Sequence, residues 1–102
     1  MNSYVVNLYP KPNQLATSQN LTVGSASTQF ANTFNALTNA IFVTVQTAPV
    51  IVTFDGTTPS ATNGHYLPLN YTGWFSKDSM IAAKWIRSGG TSALVTATEF
   101  TN

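Results

Sequence analysis

The stretch AIFVTVQTAPVIVTFD, Ala40 to Asp55, is the most apolar part of the chain, and its reading decides the fold class. Ile41, Val43 and Val45 alternate with Phe42, Thr44 and Gln46, and Val50, Val52 and Phe54 alternate with Ile51, Thr53 and Asp55. A two-residue period over β-branched and aromatic side chains predicts two strands. The connection Thr47-Ala48-Pro49 is short, so the two strands are expected to form a hairpin. The second strand stops at Asp55-Gly56, and small polar residues follow as far as Asn63-Gly64-His65. Both dipeptides are turn formers and Pro59 blocks a central strand, so Asp55 to His65 reads as a surface connection.

Strand signals elsewhere are short and frequent. Ser3 to Tyr9 (SYVVNLY) is β-branched and aromatic and stops at Pro10 and Pro12, where no central strand can continue. Lys11 to Asn20 is polar and reads as an arm or long loop. Leu21 to Gly24 and Thr28 to Phe30 are brief strand candidates, and Phe34 to Ala40 has the look of a helical turn. Ser76-Lys77-Asp78-Ser79-Met80 reads as a helix start, with Ser76 as N-cap and Asp78 in the first turn. Ala82 to Ser88 and Ser92 to Phe100 read as a closing hairpin, with Gly89 and Gly90 supplying positive φ in the turn. Ala83, Trp85 and Arg87 share one face of that hairpin, yet both of its faces are partly apolar. Either a loop covers the second face or the face is a subunit interface carrying Trp85 and Arg87. Many short strands with frequent turns predict an all-β chain: a single small β-sandwich or jelly-roll-like barrel with an extended N-terminal arm. The division expected is an arm or edge strand over residues 1–19 and a sandwich over residues 20–102.

Composition narrows the function. Charged residues are 7% of the 102, against roughly 25% in ordinary globular chains. Polarity comes from Thr, Asn, Ser and Gln, and the formal net charge is +1. A neutral hydroxyl and amide surface has little charge repulsion and loses little on desolvation, which suits close contact with identical neighbours or a large assembly. Lys11, Lys77, Lys84 and Arg87 are too few for an extended phosphate-binding face, so no nucleic-acid partner is expected. With no cysteine there is neither a disulfide framework nor a thiolate metal site. The N-terminus lacks the basic and apolar regions of a signal peptide, and no segment approaches about 20 apolar residues, so no membrane partner is expected.

Catalytic chemistry is sparse. The acids are Asp55, Asp78 and Glu99, and the one histidine is His65. No serine sits in a nucleophile-elbow sequence, and one histidine with one carboxylate falls short of the three or four ligands of zinc. Asp55 reads as a turn former whose carboxylate caps nearby N–H groups. The expectation is a non-enzyme with no cofactor and no metal. The aromatics His65-Tyr66, Tyr71, Trp74 and Phe75 admit a sugar-stacking platform with Asn63 and Asn70, although a small β domain needs such residues for packing.

The strand ending in FDGTTPSATNGHYLP, the Ser-Lys-Asp-Ser segment and the terminal KWIRSGGTSALVTATEF together resemble small virion proteins of tailed bacteriophages. The resemblance runs from about Ile41 to Phe100 and is one of pattern. It implies a capsid decoration, or cement, protein: β-rich, jelly-roll or β-tulip in form, homotrimeric, and seated where capsomers meet. The implied partners are the major capsid protein and other copies of the chain. The implied location is the capsid surface, after synthesis in the host cytoplasm. Tyr4, Val5, Val6, Leu8 and Tyr9 are then candidate interface residues, in an arm that adds a strand to a neighbouring sheet. Asp55, His65 and Tyr66 are candidate loop contacts. The alternatives are a receptor- or carbohydrate-binding module of the virion and a tail adaptor subunit.

Overall fold

Ile41, Val43 and Val45 are fully buried, as the alternation in this stretch requires, but their strand does not pair with the next one. The computed structural model describes residues 10–31 and 33–101. Its strands are β1 (Lys11–Pro12), β2 (Gln19–Val23), β3 (Ala40–Gln46), β4 (Val50–Thr53), β5 (His65–Leu67), β6 (Thr72–Ser76), β7 (Lys84–Arg87) and β8 (Ala93–Thr101). Helix α1 (Lys77–Ala82) lies between β6 and β7. One antiparallel sheet is ordered β1-β8-β3-β6, with β2 also paired to β8, and the other β5-β4-β7. The two form a small all-β sandwich.

The expected hairpin at Thr47-Ala48-Pro49 is therefore an arch from one sheet to the other. Thr47 takes φ 77°, and the Ala48 N–H donates to the Gln46 carbonyl at 2.9 Å, which turns the chain within three residues. The closing hairpin is also an arch, because β7 lies in the three-stranded sheet and β8 in the larger one. Gly89 and Gly90 are not at positive φ, which among the described residues occurs at Thr47, Gly56, Gly64 and Asn70. The Phe34 to Ala40 segment forms a single turn, closed by Thr38 N–H on the Asn35 carbonyl, and not a helix.

Both arches point their apolar residues inward, and the core lies between the sheets. Val23, Ile41, Val43, Val45, Val95 and Ala97 come from the larger sheet, and Val50, Val52, Leu67 and Trp85 from the smaller one. Phe30 meets the Trp85 ring edge-on at 6.2 Å and Phe34 packs on Phe30 at 6.1 Å. Trp85 has no exposed surface. Its assignment to a subunit interface is thus overturned: alternation on β7 turns the indole inward, where it is the largest fully buried side chain. Arg87 is half-buried, and its N–H donates to the Gly24 carbonyl at 2.9 Å.

All four residues of β4 are buried, on both faces. The second face is closed by the chain's own Asp55–Gly64 loop, for a Cβ at Gly64 would lie 2.6 Å from the Ile51 Cγ2. His65 is part of β5 and pairs with Val52, so the surface connection ends one residue earlier than expected. Segment 11–19 is likewise built into the sandwich. β1 pairs with the end of β8 at the edge of the larger sheet, Asn13 is buried, and β2 begins at Gln19. Tyr4, Val5, Val6, Leu8 and Tyr9 lie outside the described residues. The helix start is as expected: the Ser76 Oγ accepts the Ser79 N–H at 3.1 Å, Asp78 lies in the first turn and Met80 is buried.

Candidate functional site

The larger sheet turns one face to the core and the other to solvent. Phe42 on β3 stands directly across from Trp74 on β6, and their rings meet at 5.1 Å. Phe100 on β8 approaches the same indole edge-on at 4.8 Å. The three rings form a cluster drawn from β8, β3 and β6, with Trp74 in contact with both phenyl groups and still 49% exposed. This packing removes rotamer freedom before any partner arrives, so less entropy is lost on contact. Around the cluster lie Asn20 and Thr22 on β2, Thr96 and Thr98 on β8, Thr44 on β3 and Thr72 on β6. The Thr96 hydroxyl donates to the Asn20 Oδ1 at 2.8 Å, and the Ser18 and Thr98 hydroxyls share a bond of 2.8 Å. None of the outward positions on β2, β8, β3 and β6 is charged.

The aromatics between residues 65 and 75 are divided by the fold. Tyr71 and Phe75 turn inward and continue through Phe54 to His65, with ring centroids 6.3, 5.6 and 5.9 Å apart. This row links β6 to His65 on β5 through Phe54, and three of its four rings are half-buried. Tyr66 is exposed on β5, in the other sheet from Trp74. The single platform of Tyr66 to Phe75 therefore does not exist. The exposed aromatic surface combines Trp74 with Phe42 and Phe100, which are distant in sequence. Period-two alternation puts Phe42 and Phe100 out of phase with the buried Val43 and Val95, and that signal was available without a structure.

Asp55 and His65 line a common groove of about 390 Å³ with Thr53, Phe54, Asn63 and Gly64. The Asp55 carboxylate accepts the Thr57 hydroxyl at 2.6 Å and the Thr57 N–H at 3.1 Å. These bonds hold its pKa below the usual carboxylate value, the hydroxyl contributing most and the His65 charge least. Asn63 Nδ2 donates to the Thr57 Oγ1 and the Thr58 carbonyl at 3.0 Å each, and Lys84 Nζ reaches the Gly56 carbonyl at 3.0 Å. The Asp55 Oδ1 is thus used in loop structure, as expected of a turn former. Among the described residues no three His, Cys, Asp or Glu side chains gather into a metal-binding group.

A lowered carboxylate pKa stabilises the folded loop above the ordinary carboxylate range, and the contribution is lost as pH falls through the folded value. The Thr57 amide resonance should titrate with a midpoint below the ordinary aspartate value of about 3.9. Thr57→Val, which removes the stronger donor, should raise that midpoint. A midpoint unchanged by the substitution means that the hydroxyl does not control Asp55.

Glu99 escaped notice in the sequence beyond its count as an acid. It lies in phase with Val95 and Ala97 on β8 and is buried with them. Comparison of the chain with family models, curated proteins and solved structures finds no match.

Proposed function

We propose that the chain is a bacteriophage virion structural protein of the capsid-decoration type, which binds assembled capsid without catalysis and docks through the outer face of its larger sheet. The observation that supports this reading is the charge-free face with a half-exposed Trp74 packed against both Phe42 and Phe100. Buried aromatic anchors dominate the energy of protein contacts, and neutral surroundings carry little desolvation cost. The face is four strands wide, about 19 Å, and β3 runs about 24 Å along it, giving roughly 450 Å². A modest specific interface buries about 500 Å² on each partner, so this face supplies most of one. The paired hydroxyls of Thr96 and Thr98 favour a flat protein partner over a sugar, which needs free convergent donors and acceptors. The arm residues Tyr4 to Tyr9 and the loop residues Asp55, His65 and Tyr66 supply secondary contacts in this reading, and the protein acts as a homotrimer.

Cosedimentation with preassembled capsid tests the docking face. Trp74→Ala should weaken binding by about 30-fold or more, the scale of a 2 kcal/mol hot spot, while leaving the thermal midpoint within a few degrees. Unchanged capsid occupancy overturns the assignment of the face. Light scattering tests the oligomer: three chains of 10.9 kDa should give a mass of about 33 kDa, and a monomer at high concentration removes the trimer.

A further inference from the structure

Glu99 is a carboxylate placed in the interior of a chain with few charges. Only 4% of its surface is exposed, and its Oε1 accepts the Asn35 N–H and the Thr38 hydroxyl, each at 2.7 Å. Both donors are neutral. The surrounding polar groups are tied to one another. Asn13 Nδ2 donates to the Thr38 Oγ1 at 3.1 Å and to the Asn35 Oδ1 at 3.3 Å. The Asn13 Oδ1 accepts the Leu15 N–H, and the Asn35 Oδ1 accepts the Leu37 N–H. Lys77 Nζ is directed to the Asn35 and Ala36 carbonyls at 3.4 and 3.3 Å. The described hydrogen bonds to the Glu99 carboxylate come from neutral donors, so a cation placed beside it would add a charge–charge attraction that none of them supplies.

There is space for such a cation. Glu99 lines a groove of about 280 Å³ with Leu15, Ala16, Thr17, Thr33 and Asn35, among others. Small-molecule and cofactor sites run from about 300 to 1,000 Å³, so this groove fits one side chain better than a cofactor. A calcium ion needs six to eight oxygens, whereas here the Asn13 and Asn35 side-chain oxygens are already used by backbone N–H groups. An ammonium or guanidinium group brings its own donors and needs one carboxylate with a few hydroxyls, which Glu99, Thr17 and Thr33 provide. Leu15 is exposed at the rim and offers apolar surface to the aliphatic stem of such a side chain.

We propose that this groove is a binding site for a single cationic side chain, the lysine ammonium or arginine guanidinium of a partner protein, with Glu99 as its counter-charge. The site is separate from the aromatic face, and it does not depend on the partner being a capsid. The test is an amide NMR titration of the full chain with Nα-acetyl-lysine methylamide and Nα-acetyl-arginine methylamide. Nα-acetyl-norleucine methylamide, with the four-carbon stem of lysine and no ammonium, serves as the uncharged control. Expected are saturable shifts at Leu15, Thr17, Thr33 and Asn35 with at least one cationic probe, at millimolar affinity, and none with norleucine. Glu99→Gln keeps an oxygen for Asn35 and Thr38 and should weaken the cationic probe about tenfold with the remaining spectrum intact. The absence of saturable shifts, or equal shifts with norleucine, overturns the proposal. So does equal binding to a folded Glu99→Gln protein. If that variant fails to fold, the norleucine comparison on the unaltered chain still decides.

Discussion

Trp85→Ala should remove about 3–5 kcal/mol of folding free energy, read by urea or thermal unfolding. The indole is fully buried between the sheets and meets Phe30 edge-on, so its loss leaves a cavity lined by residues of both sheets. Total stability of a domain is about 5–15 kcal/mol, so this one change takes the protein to the edge of unfolding. Trp85→Phe separates two contributions to that loss. The indole Nε1 is buried without a hydrogen-bond partner among the described residues. Leaving such a donor unsatisfied costs about 1–3 kcal/mol, and phenylalanine removes it along with part of the packing. Trp85→Phe should therefore cost far less than truncation to alanine. Equal losses for the two substitutions would show that ring volume is not what Trp85 contributes.

Gly64→Val should be the most damaging change on the surface loop, at about 2–6 kcal/mol. Gly64 has φ +131°, which side-chain-bearing residues rarely adopt, and its added Cβ would lie 2.6 Å from the Ile51 Cγ2 and 3.0 Å from the Val52 carbonyl. Backbone strain and overpacking each contribute about 1–3 kcal/mol. Gly56, at the other turn of the loop, provides the contrast. It has φ +86° with nothing within 4 Å of an added Cβ, so Gly56→Ala should cost only about 1–2 kcal/mol of strain. If both changes cost the same, the loop does not seal β4 in the way described above.

The strands were legible in the sequence because alternation is local. Residues 41 to 46 and 93 to 100 each display a two-residue period, and the buried positions follow it. The partner of each strand was not legible. Short connections at Thr47–Pro49 and after Arg87 favour hairpins on local grounds, but the burial of both faces of β4 depends on what packs there. That is a tertiary matter, and the apolar character of Ile51 on the second face was its one trace. The docking face was half legible. Trp74 was singled out as an aromatic, but its packing against Phe42 and Phe100 follows from the order β8-β3-β6, which no short stretch of sequence contains. Glu99 was legible in phase but not in role, because the groups that enclose it come from residues 13, 35 and 38.

Among the described strands, only β4 and β5 are both consecutive in the chain and paired in a sheet. The fold thus has almost no local hairpin from which ordering can spread, and loop closure must be completed before most pairings form. Refolding should be slow for the chain's size, in the millisecond-to-second range of proteins dominated by distant contacts. During synthesis the effect is sharper. β8 is paired to β1, β2 and β3, so three strands of the larger sheet await one that leaves the ribosome after them. Until β8 arrives, Val23 on β2 has no strand to join, and Ile41, Val43 and Val45 on β3 have only β6. The newborn chain therefore passes through an interval in which its stickiest segments are open to other chains.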